Sequence, residues 1–116
     1  MKKPFIASLL TLLTFASAQL LAAEPTFMKT VLMDNTEVHV FELYFKPGGA
    51  SPEHTHDYGR VVYVLKGGTL DLVKADGTAV RKELKPGKVV WRPAETHIVK
   101  NVGDSDVQLV EIEVKK

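Results

Sequence analysis

The chain has 116 residues, which is enough for one domain at most. Hydrophobic residues make up 45% of it and charged residues 25%, a balance that is typical of a globular protein and excludes general disorder. The net charge of +1 gives no electrostatic signature of nucleic-acid binding, and the absence of cysteine excludes disulfide scaffolds, thiolate metal sites and cysteine nucleophiles.

Residues 1–23 have the layout of a secretory signal peptide. Two lysines near the start precede an apolar run over residues 5–15, and small residues follow it. The A-x-A rule predicts cleavage after Ala18, with cleavage after Ala23 as the alternative. The apolar run is shorter than the ~20 residues that a membrane-spanning helix needs. We therefore expect a periplasmic or secreted protein that has no membrane association once the signal is removed.

The rest of the chain, residues 24–116, alternates short β-favouring segments with Gly, Pro and Asp turn residues. The predicted strands, in chain order, are 36–46, 60–66, 69–74, 78–84, 88–92, 96–102 and 107–114. The Asp76-Gly77 pair between two of them is a preferred hairpin turn. No amphipathic helix is predicted after the signal. This pattern predicts an all-β domain, an antiparallel sandwich or barrel.

The predicted strand 60–66 is apolar on both of its faces. One face carries Val62 and Val64, and the other carries Val61, Tyr63 and Leu65. A strand of this kind is covered on both sides, and in a small barrel only one side can face the interior. We therefore expect the second face to contact another subunit in a homodimer.

The histidines carry the strongest chemical signal. His54 and His56 lie two residues apart, and side chains at this spacing share one face of an extended segment. Two neighbouring neutral imidazoles form a bidentate clamp for a divalent metal, although two solvated loop histidines would give the same pattern. His97 begins a later strand and completes the site only if the two strands lie side by side.

Two segments resemble the paired motifs of the cupin superfamily. Residues 48–67 match G-x5-H-x-H-x3-4-E-x6-G at the glycines and both histidines, and residues 87–101 match the second motif through His97 and Asn101. The resemblance implies a small antiparallel double-stranded β-helix, a jelly-roll barrel over residues 24–116, often with a divalent metal in its mouth. Matched residue by residue, it gives His54, His56 and His97 the histidine ligand positions.

The sequence departs from the motifs at two positions. Arg60 replaces the glutamate ligand, and Glu95 stands where the second motif has a glycine, in a loop that is one residue shorter. A three-histidine site would still bind Fe, Mn, Zn or Ni and leave coordination positions open. Arg60 would then lie beside those positions as a partner for a carboxylate. Alternatively, its charge repels the metal, and the pocket binds anions without one.

Four other residues are candidates for roles around this site. Tyr58 has the same extended-chain parity as His56 and is predicted to line the mouth. Glu42 and Glu111 are candidate partners of Arg60, and Glu95 is a candidate for orienting an imidazole from outside the ligand set. His39 is interpreted as an ordinary strand histidine.

Two functions from different classes follow. One is a metal-binding cupin that takes a small, anionic ligand and could act on it catalytically, since the chain is similar to small cupins assigned to the metabolism of β-alanine or related small acids. The other is a non-catalytic, metal-free module that binds small anions around Arg60. A third hypothesis, besides these two, is a structural role in which the pocket has lost its function. The predicted fold does not distinguish between these hypotheses, because one fold can have many functions.

Overall fold

A computed structural model describes residues 2–4, 11–17 and 23–116. The predicted cleavage site after Ala18 and most of the predicted leader lie outside these ranges, so the leader stays a prediction. Within the described residues there are nine strands. They are β1 (Phe27–Asp34), β2 (Val38–Phe45), β3 (His54–His56), β4 (Arg60–Lys66), β5 (Gly68–Lys74), β6 (Ala79–Leu84), β7 (Val89–Arg92), β8 (Glu95–Asn101) and β9 (Val107–Val114).

The strands form two antiparallel sheets that pack face to face. One sheet has the order β1-β2-β9-β4-β7 and the other the order β3-β8-β5-β6. The predicted all-β antiparallel fold is therefore confirmed. The described residues contain no helix, and so none that is long and apolar enough to cross a membrane.

The core lies between the sheets because alternate residues of each strand point inward. On β2, Phe41, Leu43 and Phe45 are buried and the residues between them are not. They meet the inward side chains of the opposite sheet, of which Leu70 and Val99 are buried. This alternation is the pattern that made the strands recognisable in the sequence.

Two strands were missed by the sequence analysis. Every residue of β1 except Phe27 is exposed, so the strand lacks the one-sided burial that gives a clear alternating pattern. β3 has three residues in a polar segment, which is too short for a periodic signal. At Gly67, between β4 and β5, the chain turns a corner and passes from one sheet to the other. A Cβ at Gly67 would lie 2.2 Å from the carbonyl oxygen of Leu84, so the corner requires glycine.

Two cavities enter the space between the sheets from opposite sides. The β3-side cavity, of about 240 Å³, opens between edge strands β1 and β3 and is lined by His54, His56 and Glu113 among others. The β6-side cavity, of about 270 Å³, opens between edge strands β6 and β7 and is lined by Arg60 and His97 among others. The histidines therefore lie where the two cavities approach each other.

Candidate metal centre

Strand pairing brings the three predicted histidines together. β3 lies antiparallel to β8 with His54 opposite His97, and His56 projects from the same face of β3 as His54. The Nε2 atom of His56 lies 2.9 Å from that of His54 and 3.1 Å from that of His97. His56 and His97 are almost fully buried, whereas His54 is half-buried. The three side chains thus form one cluster with its ligand atoms facing each other.

The spacing of these nitrogens fits a bound metal ion. An ion bound at about 2.1 Å from two imidazole nitrogens holds them about 3 Å apart when the angle between the bonds is near 90°. A tetrahedral angle would separate them by about 3.4 Å. The two observed distances, both from Nε2 of His56, are therefore short enough for the three imidazoles to hold one ion together.

The outer contacts of two histidines fix their tautomers. Nδ1 of His54 lies 2.8 Å from the carbonyl oxygen of Pro52, and Nδ1 of His56 lies 2.7 Å from Oε1 of Glu113. Both oxygens can only accept, so each Nδ1 carries the proton and donates it. The Nε2 atoms are then left with lone pairs, as a metal ligand requires.

Burial keeps the inner histidines neutral. It is the main cause that lowers the pKa of His56, against the opposing effect of the hydrogen bond to Glu113. Burial also lowers the pKa of His97 to about 4, with Glu95 acting in the opposite direction. Neutral imidazoles at pH 7 are the form that binds metal.

Glu95 lies beside His97, as the sequence suggested, and it also binds two arginines. Its Oε1 atom is 3.1 Å from Nδ1 of His97, without the alignment of a hydrogen bond, and among the described residues this buried nitrogen has no hydrogen-bond partner. Arg92 donates two hydrogen bonds to Glu95, at 2.7 and 3.1 Å. Burial by itself would raise the pKa of Glu95, but the hydrogen bond from Arg92 and the neighbouring positive charges outweigh it and lower the pKa.

Arg60 is buried, and most of its hydrogen-bonding capacity is used inside the protein. Its Nε donates to Oε1 of Glu111 at 2.7 Å, its Nη1 to the carbonyl oxygen of Pro93 at 2.9 Å, and its Nη2 to Oε2 of Glu95 at 3.4 Å. Two carboxylates therefore compensate its charge. This arrangement removes the repulsion that would oppose a metal, and it leaves Arg60 few donors for an external anion.

Two of the other candidates, and the strand histidine His39, lie away from the three-histidine cluster. Tyr58 is exposed and lines neither of the two cavities, because β3 ends at His56 and the extended parity does not continue to it. Glu42 lies on the outer face of β2, between inward-facing Phe41 and Leu43, and is not a partner of Arg60. Nδ1 of His39 lies 3.5 Å from Oδ1 of Asp34. His39 is therefore a strand histidine outside the cluster, as interpreted from the sequence.

Two residues that contact the centre or its neighbours were not predicted from the sequence. Glu113 hydrogen-bonds His56, and Arg92 holds Glu95. Glu113 was detectable, because it has the same strand parity as Glu111 and both acids interrupt an otherwise apolar face of β9. No sequence pattern marked Arg92, because its partner Glu95 lies across a turn whose shape the sequence does not specify.

Known proteins resemble this chain in sequence and in fold. Residues 41–113 match the family described as a cupin domain. The chain is 35% identical over 96 residues to the β-alanine degradation protein BauB of Pseudomonas aeruginosa, an alignment that covers 82% of this chain and 100% of BauB. It is 33% identical over 99 residues to auxin-binding protein 1 of Arabidopsis thaliana, covering 75% of this chain and 47% of that protein. The crystal structure of a cupin domain from Bordetella pertussis superposes with a TM-score of 0.73 at 35% identity, covering 82% of this chain and 99% of that one.

Proposed function

The chain belongs to the cupin family, and from this premise we propose that it binds a divalent metal ion through His54, His56 and His97 and presents the ion to a small organic acid. The observation that carries the proposal is the convergence of three imidazoles, with Nε2 of His56 about 3 Å from Nε2 of His54 and of His97. Two of those atoms have their lone pairs directed by Nδ1–H donation. Three protein ligands can hold an ion whose remaining coordination positions are filled by water or a bound ligand, so a fourth protein ligand is not required.

The donor set indicates which ions suit the site. Three neutral imidazoles favour Fe, Mn, Zn or Ni over the hard cations Mg²⁺ and Ca²⁺, which prefer oxygen ligands. The ion would supply Lewis-acid chemistry to a bound ligand. The chain's own contribution is to hold the histidines neutral and oriented through burial, Glu113 and the Pro52 carbonyl oxygen.

The ligand class and location are further parts of the proposal. A small carboxylate is consistent with the names of two similar proteins, one assigned to β-alanine degradation and the other to auxin binding. The predicted leader supports a periplasmic or secreted site of action. The metal-free alternative centred on Arg60 has less support, because Glu111 and Glu95 already bind that guanidinium.

Metal titration of purified protein tests the centre. His54→Ala, His56→Ala and His97→Ala should each lower the affinity for Ni²⁺ or Zn²⁺ by about a hundredfold or more, since each removes a direct ligand. His39→Ala is the matched control, a strand histidine outside the cluster, and it should bind as the unmodified protein does. Equal metal affinity in all four variants would show that the three histidines do not form the site.

A further inference from the structure

The β6-side cavity has an excess of positive charge that the metal centre does not explain. Four basic side chains and one acidic side chain line it: Arg60, Lys82, Lys88, Arg92 and Glu111. The β3-side cavity, in contrast, is lined by one basic residue, Lys29, and one acidic residue, Glu113. A cleft between apolar sheets concentrates the field of such charges, so the two cavities differ in their attraction for anions.

The excess positive charge of the β6-side cavity comes from two lysines, because both arginines are paired with carboxylates. Arg60 is paired with Glu111 and Glu95, and Arg92 is paired with Glu95. Among the described residues, no carboxylate lies within ion-pairing distance of the amino groups of Lys82 and Lys88. Both lysines are exposed, one on β6 and one immediately before β7, at the opening of the cavity. The entrance therefore carries two uncompensated positive charges.

The interior of the same cavity is apolar. Eight aliphatic side chains contributed by seven strands line it. The inner end reaches His97, one of the three proposed metal ligands. A ligand that fits this arrangement has an apolar body for the interior and an anionic group for the entrance.

We propose that the β6-side cavity binds an organic anion with an aliphatic or aromatic body, whose carboxylate lies between Lys82 and Lys88. The body lies among the aliphatic side chains and points toward His97. The inference deepens the proposed function, on which it rests for the view that this cavity beside the metal centre holds the ligand. It assigns the anion-binding role to two lysines at the entrance instead of to Arg60.

A structural explanation of the lysines competes with this one. Both flank the exposed edges of the sheets, and inward-pointing charges on edge strands prevent one molecule from pairing with another. Lys29 occupies the corresponding place on edge strand β1 at the other cavity. Because the edge-protection explanation applies equally to all three lysines, Lys29 is the matched control.

Binding of hexanoate, measured by isothermal titration calorimetry, tests the proposal. Hexanoate should bind and reach saturation at millimolar concentrations, and its affinity should fall with added salt. Lys82→Gln and Lys88→Gln should each weaken binding about fivefold, and the double variant more. Lys29→Gln should not change it. Acetate, which lacks the apolar body, and hexylamine, which has the opposite charge, should bind much more weakly.

Several outcomes would overturn the proposal. They are an absence of hexanoate binding, equal binding of hexanoate and hexylamine, and an affinity that is unchanged in the double lysine variant or lowered equally by Lys29→Gln. A parallel titration with Ni²⁺ keeps this result separate from the metal proposal. Metal binding without hexanoate binding refutes only the ligand class, whereas hexanoate binding without metal binding refutes only the metal centre.

Discussion

Glu113 determines which nitrogen of His56 faces the centre. Its carboxylate accepts the Nδ1 proton at 2.7 Å, and the opposite nitrogen is left as a ligand. We predict that Glu113→Ala lowers the affinity for Ni²⁺ by about tenfold to a hundredfold, the usual effect of losing such an outer contact. Isothermal titration calorimetry measures this change. The affinity of Glu113→Gln for Ni²⁺ should lie between those of the unmodified protein and Glu113→Ala, since its amide oxygen still accepts the Nδ1 hydrogen bond.

Glu42 provides the control for that variant, since it is a glutamate on the outer face of β2. Glu42→Ala should bind Ni²⁺ as the unmodified protein does. If Glu42→Ala and Glu113→Ala lower the affinity equally, the effect of Glu113 is one of net charge and not of orientation.

Burial of His97 couples the stability of the metal-free protein to pH. The pKa of His97 is about 4 in the folded chain, below the ordinary value of 6.5. Between these two values the unfolded chain binds more protons, so the free energy of unfolding falls as pH falls. The shift corresponds to about 3 kcal/mol at most, lost as the pH decreases from about 6.5 to about 4.

Urea denaturation across this pH range, with metal removed, measures the effect. His97→Gln should flatten the dependence, because the substituted side chain does not titrate. His56→Gln should flatten it in the same direction, since burial also lowers the pKa of His56. A free energy of unfolding that rises as the pH falls below 6.5 would contradict the prediction.

At the scale of strands, Arg60 connects β4 and β9 to the turn that leads into β8. It is 1% exposed and its guanidinium binds Glu111, Pro93 and Glu95. Removing one partner of a buried ion pair leaves the other charge uncompensated. We predict that Arg60→Met lowers the free energy of unfolding by about 3–5 kcal/mol, measured by urea denaturation.

Three further variants test the same ion pair. Arg60→Met combined with Glu111→Leu should recover much of the loss, because no unpaired carboxylate then remains at position 111. Arg81→Met removes an arginine paired at the surface with Asp71 and should leave the unfolding midpoint almost unchanged. Arg60→Glu, which restores the glutamate of the cupin motif, should destabilise the fold, because it would place a third carboxylate beside Glu111 and Glu95.

At the scale of the whole molecule, the outer face of the five-stranded sheet carries an apolar stripe. Strand register aligns Val40, Ile112, Val61 and Trp91 in one row across four strands. Trp91 is 61% exposed and Tyr63, in the next row, is 40% exposed. The strand predicted to be apolar on both faces thus has one face in the core and the other uncovered by the described residues.

We therefore retain the prediction of a homodimer that uses this face. Light scattering should give twice the mass of the chain, and Tyr63→Asp should produce a monomer or aggregates. Lys100→Asp, at an exposed position of the other sheet, should leave the mass unchanged. A monomeric unmodified protein would show that this apolar face is not an interface between copies.

The sequence by itself determined most of the strands and the histidines that make up the candidate centre. Strand alternation, turn residues and the spacing of the cupin motifs are local properties, and they identified seven strands and all three histidines. They could not identify β1, whose residues are exposed on both faces, or the three-residue β3. Alternation requires a one-sided environment and several residues, and neither condition holds there.

Only the tertiary structure decided which side chains meet. The pairing of β3 with β8 brings His97 to His54, a juxtaposition that depends on register between segments about 40 residues apart. The same packing compensates Arg60 with Glu111 and Glu95 and directs Glu42 outward. It also leaves Lys82 and Lys88 at the entrance of a second cavity. Local patterns give the face on which a side chain lies, but its partners are set by long-range packing of the two sheets.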